Sequence, residues 1–337
     1  MTYKLKINIL GGVIAALVLV LIFSFIFDPE RIVSRSAAYS WLDPRQKDAI
    51  DRISINNGSE EIILVLKSGN WLVVNNGKEY PARQIRVDDF ITALTKSAPY
   101  PVRSSSSSSH ERLSLTGDGS VRVTVTGGAG RPLLDLLIGQ SDVTGNELFM
   151  RKQGQNEVRS GEDIFSTYVN SSLNSWYNLR LFPETENGKL DVTSVQRLTV
   201  YPPAVYDSDS DDPEGSPGDE ENPPRTFTRR NRTWTFNFYL VAPDMERVDS
   251  YIRDILNTSG DDFADYVDPS DPDLHDCRIL LELGDGSIKT LRLGPEKDGK
   301  RFAVVTGSQL VYSVPGWAAQ RLFPDMETFE KAATDLP

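Results

Sequence analysis

From Asp51 onward, apolar and polar positions alternate along the chain. Ile53 and Ile55, then Ile62, Leu64 and Leu66, then Trp71 and Val73 recur with period two, the period of strands buried on one face. Asn56-Asn57-Gly58 and Ser68-Gly69-Asn70 stand between these runs and carry the residue types that tight turns need. The pattern predicts a three-stranded meander. The period then changes: Val87, Phe90, Ile91 and Leu94 fall at i, i+3, i+4 and i+7, a helix with one apolar face. Ser104 to Ser109 are six consecutive serines with no apolar surface to bury, so a mobile loop is expected. Val121, Val123 and Val125, the turn Gly127-Gly128-Ala129-Gly130, and Leu134 to Ile138 read as two further strands. Shorter strands near 148–151 and 157–159 and a second helix from about Glu162 to Trp176 complete the pattern.

The second half repeats the first. Val87-Asp88-Asp89-Phe90-Ile91 is answered by Val248-Asp249-Ser250-Tyr251-Ile252, Arg52-Ile53-Ser54-Ile55 by Arg197-Leu198-Thr199-Val200, and Trp71 by Trp234. Trp176 with Arg180-Leu181-Phe182-Pro183-Glu184 is answered at one constant offset by Trp317 with Arg321-Leu322-Phe323-Pro324-Asp325. Matches in the same order point to an internal duplication, with repeats at 51–184 and 192–326, a linker at 185–191 and a tail at 327–337. Equivalent residues of a duplication serve the fold. Trp71, Trp234, Trp176, Trp317, Phe182 and Phe323 are therefore expected in the repeat cores, with the R-L-F-P segment closing each repeat.

Ile7 to Phe27 is a run of 21 residues without a charge, enough for a helix of roughly 30 Å, the thickness of a bilayer's hydrocarbon core. Lys4 and Lys6 precede it, which places residues 1–6 inside the cytoplasm. The run is longer than the ~7–15 apolar residues of a signal peptide and is followed by Asp28-Pro29-Glu30 in place of a small-residue cleavage site. The pattern thus predicts a bacterial inner-membrane protein crossing once, with a stem over 28–50 and the bulk of the chain periplasmic. Gly11 with Ala15 and Gly12 with Ala16 set small residues four apart, a face on which another membrane helix packs closely. The expected class is α+β: one N-terminal transmembrane helix, then two tandem repeats, each an antiparallel meander with packed helices.

A net charge of −12 over 337 residues argues against nucleic acid, whose binding needs a basic footprint. One cysteine, Cys277, excludes an internal disulfide. The acids gather in an insertion, 207–224, that holds eight Asp and Glu and four Pro and reads as disordered. Asp207, Asp209 and Asp211 have the spacing of a calcium loop, but Asp212 stands where the loop needs glycine and Gly218 where it needs glutamate. No metal or cofactor is assigned. The only histidines are His110 and His275, and the nucleophile, zinc and phosphate-loop motifs are missing. His275-Asp276-Cys277 sets reactive types side by side, but neighbours on an extended chain point to opposite faces, and Cys277 reads as a buried or edge position.

The N-terminal anchor, Ile53-x-Ile55, Trp71 after a turn, Tyr80-Pro81-Ala82, the Val87-to-Leu94 helix and Leu136-x-Ile138-Gly139 together resemble the bacterial family called domain of unknown function 4340. Arg83 stands where that family usually has aspartate. Such proteins resemble accessory components of ABC transport systems of the type linked to gliding motility. The resemblance implies a non-enzymatic scaffold whose partners are integral ABC-transporter or auxiliary subunits, with no catalytic residue to carry over. The rival expectations are a periplasmic module that binds a solute or cell-wall polymer, marked by an aromatic-lined groove, and a hydrolase, marked by converging carboxylates.

Overall fold

The computed structural model describes residues 17–18, 38–183, 190–203, 223–231, 233–237 and 243–329. Apart from Leu17 and Val18, the Ile7–Phe27 segment lies outside them, as do Gly11, Gly12, Ala15 and Ala16 and nearly all of 207–224. The chain divides into two units, Met1–Tyr177 and Asn178–Pro337.

In the first unit the strands are β1 (Ala38–Tyr39), β2 (Ile50–Asn56), β3 (Glu61–Lys67), β4 (Asn70–Asn75), β5 (Lys78–Pro81), β6 (Ala98–Pro99), β7 (Val102–Ser104), β8 (Val121–Gly127), β9 (Arg131–Ser141), β10 (Glu147–Lys152) and β11 (Val158–Glu162). Nine form one sheet in the order β5-β4-β3-β2-β8-β9-β10-β11-β7. The period-two residues set its register. Ile53 pairs with Leu64 on one side and Val125 on the other, and Ile55 with Ile62 and Val123. All six are fully buried, so one sheet face is continuously apolar. Helix α1 (Gln84–Thr95) places Val87, Phe90, Ile91 and Leu94 in the core. Its first residue, Gln84, accepts from the Trp71 amide at 2.8 Å and donates to the Trp71 carbonyl at 2.9 Å, tying the helix start to β4. The β3–β4 turn puts Ser68 and Gly69 at φ 49° and 81°, the two left-handed residues of a tight hairpin.

The second unit has β12 (Val195–Tyr201), β13 (Arg225–Arg230), β14 (Thr233–Phe236), β15 (Asp262–Phe263), β16 (Cys277–Leu283), β17 (Ile288–Leu293), β18 (Lys300–Val305) and β19 (Val311–Pro315), in the order β14-β13-β12-β16-β17-β18-β19-β15. Read strand for strand, this is the order of the first unit without β5. Leu198 pairs with Leu281 and Val200 with Ile279; Ile279 in turn pairs with Leu291. Helix α2 (Met245–Asn257) buries Val248, Tyr251, Ile252 and Ile255 in this core. Asp244 caps it by accepting from the amides of Glu246 and Arg247 at 2.9 and 3.1 Å, an arrangement worth about 1 kcal/mol.

Each unit opens with an extended segment laid against the residues just past its long helix. Tyr39 pairs with Ala98, and Arg180 with Ser259; Ser259 stands as far beyond Val248 as Ala98 beyond Val87. Arg180–Pro183, expected to close the first repeat, therefore lies in the second unit, where Leu181 and Phe182 enter the core.

Three expectations are corrected. The class is mostly β, with 42% of the described residues in strands and every sheet among them antiparallel; residues read as helix or loop went into strand edges and turns. Among the described residues no helix is long and apolar enough to cross a membrane; the run expected to do so, Ile7–Phe27, lies outside them apart from Leu17 and Val18. The helix expected over 162–176 shrinks to Ser166–Val169 and a turn at Leu173–Ser175. There the Ser171 hydroxyl donates to the Tyr168 carbonyl at 2.6 Å, competing with the helical ladder. The serine tract is structured: Ser104 belongs to β7, Ser107–Ser109 form a short 3-10 turn, and the Ser106 hydroxyl accepts from the Ser108 amide. Serine hydroxyls stand in for backbone partners in such turns, and Ser109 is buried.

Candidate binding groove

The tryptophans expected in the cores do not all go there. Trp71, Trp176 and Trp234 are buried, and Phe182 and half-buried Phe323 pack in the second unit's core. Trp317 is 63% exposed, which corrects the expectation. The cause lies in its surroundings. Trp176 follows a short turn and is covered by Phe90, at 5.8 Å between ring centroids, and by the guanidinium of Arg86 at 4.8 Å. Trp317 instead sits in a short helix, Gly316–Gln320, that starts directly after β19. Arg247, which precedes Val248 as Arg86 precedes Val87, donates to the Thr328 carbonyl at 3.0 Å. The ring is left to Arg321, whose guanidinium lies 5.1 Å from its centroid.

The other nominated residues separate. His110 is buried, its Nε2 3.1 Å from the Asn156 carbonyl oxygen. The His275 Nε2 lies 2.7 Å from Arg292 Nη1. Cys277 is buried in β16, and burial pushes its thiol up to about 12. Beside it, Arg301 donates to Asp276 at 2.6 Å and to the Gly294 carbonyl at 2.8 Å. His275 and Cys277 thus serve different neighbours. Among the described residues no three His, Cys, Asp or Glu side chains converge as a metal site.

Trp317 and Arg321 stand over a groove of about 780 Å³ in the second unit, within the usual range of ligand sites. One wall is α2. Arg247, Tyr251 and Asp254 line it at i, i+4 and i+7, a stripe beside the one that Val248, Ile252 and Ile255 bury, and Thr258 continues the wall just past the helix end. The other wall is the segment from Trp317 to Phe329. Its floor is apolar: Leu322 is buried, and Phe329 packs on Tyr251 at 5.2 Å between centroids. The Tyr251 hydroxyl donates to the Leu322 carbonyl, and burial raises its phenol far above the ordinary range, so the floor offers no free polar group from this side chain. Asp244 and Arg247 hold the far wall, through the Asp244 amide to the Phe329 carbonyl at 2.9 Å and Arg247 to Thr328.

The groove thus offers an exposed indole, two guanidiniums and the Asp254 carboxylate above an apolar floor, which is equipment for recognition. Reading from sequence missed it because its two walls lie some sixty residues apart; the signal present was the second, mixed stripe on α2. A family model described as "Domain of unknown function (DUF4340)" matches residues 71–276, more than half of the chain. No curated protein and no solved structure matches.

Proposed function

The chain belongs to the DUF4340 family, and from that premise we propose that it is a non-enzymatic accessory subunit that docks on an ABC-type transport system of the bacterial cell envelope. In this reading the uncharged Ile7–Phe27 segment attaches it to the inner membrane, Lys4 and Lys6 keep the N-terminus inside, and both units lie on the outer side. The observation that carries a docking role is the exposed Trp317 stacked with Arg321 at the rim of an apolar-floored groove. Tryptophan and arginine are among the residues most enriched in those that dominate protein interfaces.

The test is purification of the full chain from native membranes in mild detergent, with identification of what accompanies it. Transporter subunits are expected with the wild type and are expected to be depleted with Trp317→Ala. The reading fails if the wild type brings down no transporter subunit. A second reading, a solute or cell-wall polymer site, draws on Trp317, Asp254 and Asn257 lining one groove. It predicts that the protein retains such a ligand when purified without any partner.

A further inference from the structure

We propose that the occupant of the Trp317 groove is a peptide segment of the partner that sets a carboxylate beside an aliphatic side chain. This deepens the accessory-subunit reading and rests on it. Two observations point to that chemistry. Among the described side chains, Arg321 has the Trp317 ring as its sole partner, so its fork of N–H donors faces outward unused by a carboxylate. A guanidinium of this kind matches a carboxylate with two parallel hydrogen bonds, and stacking on the indole holds it in place. Arg247, the other guanidinium of the described lining, is instead held by Asp244 at 4.0 Å and by the Thr328 carbonyl. Arg321 is thus the one cation of the described lining left to meet an acidic segment. Finally, the floor of Leu322, Phe329 and the Tyr251 ring has its one hydroxyl already bound to a backbone carbonyl. A sugar would leave hydroxyls unpaired against that floor; an aliphatic side chain would not.

The protein carries its own reporter. Trp41, Trp71, Trp176 and Trp234 are at most 5% exposed and Trp317 is 63% exposed, so quenching of tryptophan emission by acrylamide in the full chain reads Trp317. The probes are a synthetic peptide of alternating Leu and Glu, its Leu and Lys counterpart, and a tetramer of N-acetylglucosamine. The Leu–Glu peptide is expected to shield Trp317 from quenching and the Leu–Lys peptide to leave it open. Arg321→Glu is expected to weaken the Leu–Glu peptide about tenfold and to make the Leu–Lys peptide the better binder; Arg321→Gln should weaken the first without favouring the second. Equal shielding by both peptides, no shielding by either, or shielding by the saccharide alone overturns the proposal. The two readings fail separately. Transporter subunits that accompany Arg321→Glu as well as wild type defeat the groove assignment and leave the accessory role standing. Peptide selectivity without any accompanying subunit does the reverse.

Discussion

The indole N–H of Trp234 donates to the Asp249 carboxylate at 2.8 Å, and the same oxygen lies 3.2 Å from Arg229 Nη2. One acid on α2 thereby anchors β13 and β14, and the Arg229 guanidinium lies 4.9 Å from the Trp234 ring centroid. Trp234→Ala empties a fully buried site and is expected to cost about 3–5 kcal/mol. Asp249→Ala leaves the indole N–H and the half-buried guanidinium without their acceptor and should cost about 1–3 kcal/mol. Asp249→Asn keeps an acceptor for the indole and should cost less. Denaturant unfolding of the three variants checks the ranking.

Arg151 is buried, and among the described residues no carboxylate pairs with it. Its Nε and Nη2 donate to the Leu115 carbonyl at 3.0 and 2.9 Å, and Nη1 reaches the Gln155 carbonyl at 3.3 Å. It pins the segment that follows the serine tract onto β10. Arg151→Met strands a buried carbonyl and should cost about 1–3 kcal/mol. Amide exchange over 105–120 should quicken more than exchange in β2 or β8. Arg151→Lys should not restore it, because a single ammonium cannot reproduce the fork.

The Cys277 thiol, held near 12 by burial, ionises near 8.5 in an unfolded chain. Its folded pKa is raised, so its contribution to stability is complete below about pH 8.5 and declines as the pH climbs from there towards 12. Alkylation at pH 8 is expected to be slow in the native protein and fast in denaturant. Cys277→Ala should flatten the alkaline part of the stability profile. Fast native labelling would contradict the burial.

The proposed membrane topology has its own check. An enzyme active only outside the cytoplasm, fused after Pro337, is expected to be active, and carbonate washing should leave the protein with the membrane. Inactivity of a stable fusion would invert the orientation.

Much of the fold was legible because burial leaves a period in the sequence. The Ile53–Ile55 alternation and the Val87-to-Leu94 spacing each describe a single element facing a single core. What the period cannot show is what a side chain meets. Trp317 repeats Trp176 in sequence, but burial of Trp176 depends on Arg86 and Phe90, and the counterpart arginine, Arg247, is engaged by Thr328. The serine tract and the 162–176 segment were misread for a related reason. Hydroxyls that bond their own backbone make turns that carry no hydrophobic signature. The groove was invisible because its floor is assembled from tertiary contacts between two distant segments.

The opening segments of the two units carry a practical consequence for separating them. Leu181 and Phe182 are core residues of the second unit, although the sequence repeat assigns them to the first. A cut at the apparent repeat boundary, after Glu184, would burden the first fragment with a sticky hydrophobic tail. It would also leave the second fragment with a hole that two large side chains normally fill. A cut between Tyr177 and Asn178 gives each half its own thread, and the pair of fragments is then a fair experiment on whether either half folds alone.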